Sequence, residues 1–229
     1  MPMKDLKIHY IGTLLAISLV GCEAPNEARY RMTVEVDTPA GVRTGTSVRE
    51  LEYFGQGGWF PFGESRGGTR VTGQAVAVVL PNGKTLYALM TGRDGEHDYG
   101  ATVAAKTLGP KTSGHRPFSI LPLEGRTDGN VMPMLAFFED QSDARTIVVT
   151  DQYSMNGDFG PGYSLKSIVI EYTDDRFEPI ELQAPSLDRT QALRTWFREI
   201  GIEDPRVAAI SGFDRGVEAV KLKLTLAGG

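Results

Sequence analysis

The feature that most constrains the fold is a strict alternation of polar and apolar side chains from Arg29 to Asp37. A period of two residues is typical of an antiparallel strand with one face in the core and the other in solvent. Residues 38–41 (Thr-Pro-Ala-Gly) predict a turn, and Val42 to Glu52 predicts a returning strand. The domain is therefore built around a β-hairpin. The apolar face of its first strand consists of Tyr30, Met32, Val34 and Val36.

The next part of the chain predicts a second hairpin. Its first strand, Thr69 to Leu80, ends in a nearly continuous apolar run over residues 75–80, which indicates burial on both faces. Asn82 and Gly83 form a dipeptide that favours a type I′ turn, and Thr85 to Thr91 predicts the returning strand.

Further elements follow along the chain. Residues 101–108 predict a short helix that is ended by Gly109 and Pro110. In the last of three later strands, the alternation places Leu165 on the face opposite Ile168. These strands are predicted at Met132 to Phe138, Arg145 to Thr150 and Leu165 to Tyr172.

The strongest helical pattern lies from Asp188 to Ile200. Its apolar side chains recur at intervals of three and four residues along one stripe, and Gly201 can end the helix. A second short helix is predicted to begin at Asp204 with proline in its first turn, and Val217 to Leu226 alternates as a final strand. The stripe comprises Ala192, Leu193, Trp196, Phe197 and Ile200.

Composition favours a strand-rich fold. The 229 residues include 27 glycines and 13 prolines, which implies many turns, and a hydrophobic fraction of 41% supplies one sizeable core. We therefore predict an α+β fold, mainly an antiparallel β-sheet with hairpins and one or two C-terminal helices, in a single domain over residues 29–229. The net charge of −5 is spread along the chain, which argues against nucleic acid as a partner.

The N-terminal region has the layout of a secretory signal. Lys4 and Lys7 precede an apolar run from Ile11 to Val20, which is too short to be a membrane-spanning helix of about 20 residues. The run closes with Leu19-Val20-Gly21-Cys22, and this tetrapeptide resembles the lipobox of bacterial lipoproteins. The alternative is a buried N-terminal helix that carries a buried cysteine.

The resemblance implies a processed and lipidated N-terminus. Residues 1–21 would be the signal peptide, Cys22 would carry the lipid, and residues 22–28 would form a tether. Export, attachment to a bacterial membrane and a periplasm-facing domain follow from the same resemblance. In this class an aspartate after the cysteine is associated with the inner membrane, and Glu23 at that position favours the outer membrane.

Two segments rich in glycine and aromatic residues are the candidate ligand-binding regions. Aromatic rings on glycine-rich loops can stack against a ligand or enter a lipid or protein surface. The alternative is that these rings fold over the end of the sheet and fill its core. The first segment contributes Tyr53, Phe54, Trp59, Phe60 and Phe62, and the second contributes Tyr153, Phe159 and Tyr163.

A short polar loop gathers three carboxylates and an imidazole at residues 94–98 (Asp-Gly-Glu-His-Asp). Its spacing departs from that of a calcium loop, because Tyr99 stands where such a loop requires glycine. His97 and His115 do not lie in a zinc-binding motif. We therefore interpret the loop as a solvated turn and predict no catalytic residue, no metal site and no cofactor.

Three hypotheses for function follow. The first is a lipid-anchored, non-enzymatic envelope protein that contacts the membrane through its lipid and binds an envelope protein or a small ligand through the aromatic segments. The second is a hydrolase of unfamiliar type that uses Asp94, His97 and Asp98. The third is a structural component of an envelope complex, which predicts a flat, exposed apolar patch.

Overall fold

The computed structural model describes residues 27–54, 68–109, 116–121, 131–179, 182, 184–185 and 191–215. In these residues the chain forms ten strands and four α-helices. The strands are β1 (Glu27–Asp37), β2 (Arg43–Phe54), β3 (Gly68–Gln74), β4 (Val76–Val79), β5 (Thr85–Gly92), β6 (Phe118–Leu121), β7 (Pro133–Phe138), β8 (Ile147–Thr150), β9 (Ser164–Tyr172) and β10 (Asp214–Arg215). The helices are α1 (Tyr99–Thr107), α2 (Met155–Phe159), α3 (Gln191–Ile200) and α4 (Pro205–Ile210).

The strands form two antiparallel sheets that face each other as a sandwich. The larger sheet has the order β10-β3-β2-β1-β9-β6, and the smaller sheet has the order β4-β5-β7-β8. A first core fills the space between the sheets and includes Tyr30, Met32, Val34, Leu86, Ala88 and Phe137. A second core joins the smaller sheet to α3 and α4 and includes Tyr87, Ala136, Phe138, Leu193, Phe197 and Ile210. The predicted α+β class is confirmed.

The first predicted hairpin is confirmed. β1 pairs with β2 over most of its length, and all four residues of the predicted apolar face are fully buried. Burial of side chains of this size contributes roughly 1.5–3 kcal/mol each. β1 begins at Glu27, two residues before the predicted start, and lies between β2 and β9 in the centre of the larger sheet.

The prediction of one strand from Thr69 to Leu80 is wrong, because the chain changes sheet within it. β3 belongs to the larger sheet and β4 to the smaller one, with Ala75 between them. The N–H of Ala75 donates to the carbonyl of Phe213 at 2.8 Å. The predicted burial of both faces also fails at Val79, which is 53% exposed. This crossing joins the two sheets along one side of the sandwich.

The second hairpin has its turn at the predicted place but of a different type. The N–H of Gly83 donates to the carbonyl of Leu80 at 3.1 Å. Gly83 has a φ of +85°, whereas Asn82 does not have a positive φ. A type I′ turn needs positive φ at both central residues. Pro81 explains the difference, because its fixed φ favours a type I turn that is followed by a left-handed glycine.

β9 contains a β-bulge that the alternation pattern does not reveal. The register with β1 skips Lys166, which lies between Leu165 and Ser167. The extra residue turns Leu165 to the same buried face as Ile168. The prediction that these two side chains lie on opposite faces is therefore wrong.

The predicted helices are confirmed among the described residues, although α1 spans Tyr99–Thr107 instead of residues 101–108. α3 ends at Ile200, directly before Gly201, whose N–H donates to the carbonyl of Phe197 at 3.1 Å. α4 begins with Pro205, and the carboxylate of Asp204 accepts a hydrogen bond from the N–H of Arg206 at 2.9 Å. The final predicted strand, residues 217–226, lies outside the described residues.

The two ends of the sandwich differ in what closes them. At the α1 end, where β1 begins and β2 finishes, the hydroxyl of Tyr30 donates to the carbonyl of Gly100 on α1 at 2.6 Å. At the α2 end, where β1 finishes, Nδ2 of Asn82 donates to the carbonyl of Phe159 on α2 at 2.9 Å. The ten residue steps of β1 separate the two ends by about 33 Å.

Candidate functional site

The first aromatic segment starts at the α1 end. Tyr53 and Phe54 are the last two residues of β2, directly after Glu52, which pairs with Glu27 at the start of β1. The ring of Tyr53 is half-buried against the first core. The other predicted ligand-binding residues of this segment lie outside the described residues, as does the predicted lipidation site: Trp59, Phe60, Phe62 and Cys22.

The second aromatic segment lies at the α2 end, and most of its rings are part of the first core. Phe159 and Tyr163 are buried, and the centroid of the Phe159 ring lies 4.7 Å from that of Phe137. Tyr153 is 78% exposed. For Phe159 and Tyr163, the geometry matches the alternative in which rings fill the core. These two residues and Tyr53 therefore lie at opposite ends of the sandwich.

A residue for which the sequence predicts no special role occupies the interior of the α1 end. Arg49, on β2, is fully buried and is the largest fully buried side chain among the described residues. It faces inward because it pairs with Tyr30 on β1 and Gly73 on β3. The sequence contains one indication of this burial. Because side chains two residues apart in a strand share a face, Arg49 lies on the same face of β2 as Leu51.

Neutral groups surround the guanidinium of Arg49. Nη1 donates to the hydroxyl of Tyr30 at 3.2 Å, and Nη2 donates to the carbonyl of Leu89 at 3.3 Å and to Sδ of Met32 at 3.6 Å. No carboxylate among the described residues forms an ion pair with Arg49, and its Nε–H has no acceptor there. A buried charge without a partner costs several kcal/mol.

The backbone of β3 leaves room for this arginine. A Cβ added to Gly73 would lie 2.8 Å from Cγ of Arg49, closer than side-chain carbons approach one another. Glycine at this position therefore leaves room for the Arg49 side chain where it passes beside β3.

Four tyrosines extend from Arg49 to the surface, and with it they form what we call the arginine–tyrosine cluster. Tyr30 and Tyr99 are fully buried, and burial raises the pKa of both hydroxyls despite the opposing effect of the Arg49 charge. Tyr53 and Tyr172 are half-buried, and burial raises the pKa of each of them. The cluster comprises Arg49, Tyr30, Tyr53, Tyr99 and Tyr172.

The hydroxyls of the cluster close the α1 end. Tyr99 donates to the carbonyl of Val131 at 2.9 Å, and Tyr172 donates to the carbonyl of Gly109. Tyr172 lies opposite Tyr30 in the pairing of β9 with β1. The cluster thus joins a buried cation to half-exposed phenol groups, an arrangement that can hold an anion or a polar group with an aromatic wall.

The polar loop at residues 94–98 precedes α1. Nζ of Lys106 donates to Oε1 of Glu96 at 2.6 Å, so one of the three carboxylates is engaged in an ion pair. The part of the chain that the structure describes contains no group of three or more histidine, cysteine, aspartate or glutamate residues placed to hold a metal ion. The hydrolase hypothesis for Asp94, His97 and Asp98 stays a prediction.

Among the described helices, none has the length and apolar character needed to cross a membrane. Comparison of the chain with protein-family models, with curated proteins and with solved structures gives no match.

Proposed function

We propose that this chain is a lipid-anchored protein of a bacterial envelope, attached to the outer membrane and facing the periplasm, and that it acts as a non-enzymatic binding module. The lipobox-like tetrapeptide that ends in Cys22 supports the anchor. The arginine–tyrosine cluster at the α1 end supports the binding role, because it places a buried cation behind half-exposed aromatic side chains.

One observation carries the choice of ligand: the Nε–H of the fully buried Arg49 has no acceptor among the described residues. A ligand with a carboxylate or phosphate group would accept this hydrogen bond and supply the opposite charge. Hydrogen bonds between a guanidinium and an anion are about twice as strong as those between neutral groups. The proposed ligand is therefore a small anion or a molecule that carries one anionic group.

Anion-dependent stability tests this proposal. Thermal unfolding is measured with acetate, inorganic phosphate or chloride at constant ionic strength, for wild type, Arg49→Met and the control Arg70→Met, whose side chain is exposed at the same end. We expect acetate or phosphate to raise the Tm of wild type and of Arg70→Met but not that of Arg49→Met, since a ligand stabilises only the state that binds it.

A direct measurement accompanies the variants. The ¹⁵N resonance of Arg49 Nε in the wild-type protein is expected to shift as acetate or phosphate is added. This measurement does not depend on how well any variant folds. Absence of this shift together with equal Tm changes in Arg49→Met and wild type would overturn the anion site. Capture of an envelope protein without any anion effect would favour a protein partner instead.

The anchor has its own test. Mass spectrometry of the N-terminal peptide from the membrane fraction is expected to show acylated Cys22, and Cys22→Ser is expected to release the protein from that fraction. Recovery of an intact, unacylated N-terminus from the cytosol would overturn the anchor.

A further inference from the structure

We propose that the α1 end of the sandwich faces the bilayer and that Tyr53 and Tyr172 lie against the lipid headgroups. This inference rests on the lipid anchor at Cys22 in the proposed function. Beyond the proposed function, it specifies which surface of the domain faces the membrane. The arginine–tyrosine cluster then lies on that side.

The length of chain between the anchor and the fold excludes the opposite orientation, with the α2 end on the bilayer. Four residues separate Cys22 from Glu27, where β1 begins. A fully extended chain gains at most about 3.3–3.6 Å per residue, so Glu27 lies within about 18 Å of the anchored cysteine. If the α2 end faced the bilayer, Glu27 would lie about 33 Å above it, since β1 runs between the two ends. The tether is too short for that orientation.

The side chains at the α1 end suit a headgroup region. Tyr53 and Tyr172 each pack an apolar ring against the first core and remain half-exposed. Tyrosine is enriched at membrane interfaces because its ring is apolar and its hydroxyl is polar.

Charged side chains at this end form ion pairs, and Arg29 pairs with both Glu27 and Glu50. Nη1 of Arg70 lies 2.8 Å from Oε2 of Glu52, and Nε of Arg29 lies 2.8 Å from Oε1 of Glu50. Ion pairing reduces the repulsion between these carboxylates and anionic lipids. The ion pairs therefore reduce the electrostatic cost of bringing the α1 end close to the bilayer.

Spin labels at the two ends test the orientation. The full lipidated protein is reconstituted into vesicles that contain a lipid with a Ni²⁺-chelating headgroup, and a spin label is attached to Glu52→Cys at the α1 end or to Ala40→Cys at the α2 end. Both positions are exposed, and acylation of Cys22 leaves the new thiol as the one that reacts. Paramagnetic relaxation falls steeply with distance, so we expect several-fold stronger enhancement at position 52 than at position 40.

The outcomes separate this inference from the anchor on which it rests. Equal enhancement, or stronger enhancement at position 40, in protein that sediments with the vesicles would overturn the orientation and leave the anchor intact. Failure to sediment would overturn both. The Cys22→Ser variant serves as the control and is expected to show no enhancement at either position.

A longer tether tests the role of the tyrosines. Insertion of ten Gly/Ser residues after Pro25 removes the length restriction. If Tyr53 and Tyr172 contact headgroups, the longer variant keeps the stronger enhancement at position 52, and Tyr53→Ser in that variant reduces it. Loss of the difference on insertion alone would overturn the headgroup contact.

Discussion

Both ends of the sandwich combine a cation with aromatic rings, but the cations differ in burial and in whether a carboxylate pairs with them. At the α2 end, Nζ of Lys84 lies 4.6 Å from the centroid of Phe137 and forms an ion pair with Glu139 at 2.8 Å. At the α1 end, Arg49 is fully buried and forms no ion pair with any described carboxylate. The comparison shows that a cation beside aromatic rings is paired with a carboxylate at the α2 end and is held among neutral groups at the α1 end.

The largest expected effect concerns the rings at the α2 end. Phe159→Ala removes a buried ring that contacts Phe137 and Tyr163, so we expect a loss of about 3–5 kcal/mol in the free energy of unfolding, measured by urea denaturation. The control Tyr153→Ala removes an exposed ring and is expected to change stability by less than about 0.5 kcal/mol. A loss below about 1 kcal/mol for Phe159→Ala would show that this end is not a packed core.

A pair of glycine substitutions sharpens the comparison. Gly73→Ala forces Arg49 to move and is expected to cost about 1–3 kcal/mol, whereas Gly157→Ala on α2 meets no atom within 4 Å and is expected to stabilise the protein by about 0.4–1 kcal/mol. The cost of Gly73→Ala should fall in an Arg49→Ala background, since the crowded Cγ is absent. An unchanged cost in the double variant would contradict the contact.

The smallest effect is a dependence of stability on alkaline pH. Burial raises the pKa of Tyr30 and Tyr99 above the value of about 10 in an unfolded chain. Their contribution is therefore complete below pH 10 and is lost as the pH rises through the higher values of the folded state. Burial also raises the pKa of Tyr87, in the second core, to about 12, so its contribution is lost between about pH 10 and 12.

Urea unfolding at pH 8, 10 and 11 measures this dependence. Tyr30→Phe, at the α1 end, is expected to reduce the slope of the free energy of unfolding against pH. Tyr87→Phe is the matched substitution in the second core. The same slope in wild type and Tyr30→Phe would show that the hydroxyl of Tyr30 ionises as readily in the folded state as in the unfolded chain.

The sequence predicted those parts of the fold that depend on local pattern. The alternation around Val34 predicted the central strand, and the proline after Asp204 predicted the start of α4. It missed the crossing at Ala75 and the bulge at Lys166, because both depend on which strands meet in the folded chain. Pro81 was a local signal for the observed turn type, although the Asn-Gly dipeptide after it favoured another.

The candidate site was harder to predict. Tyr53 was identified from its aromatic neighbours, but Arg49 was not, because an arginine in a strand is expected to face solvent. Its burial results from the smaller sheet, which covers the inward face of β2 and supplies the carbonyl of Leu89. The pattern of residues within β2 alone does not reveal that contact with β5.

The strands β5 and β7 are buried at every position, since sheet covers one face and helices cover the other. Their amide hydrogens should exchange with solvent water only when the whole domain opens. With one cysteine in the chain, no intramolecular disulfide can limit such opening. Resistance of the domain to proteases would then depend on how rarely this inner pair of strands separates from the sheet and helices that cover it.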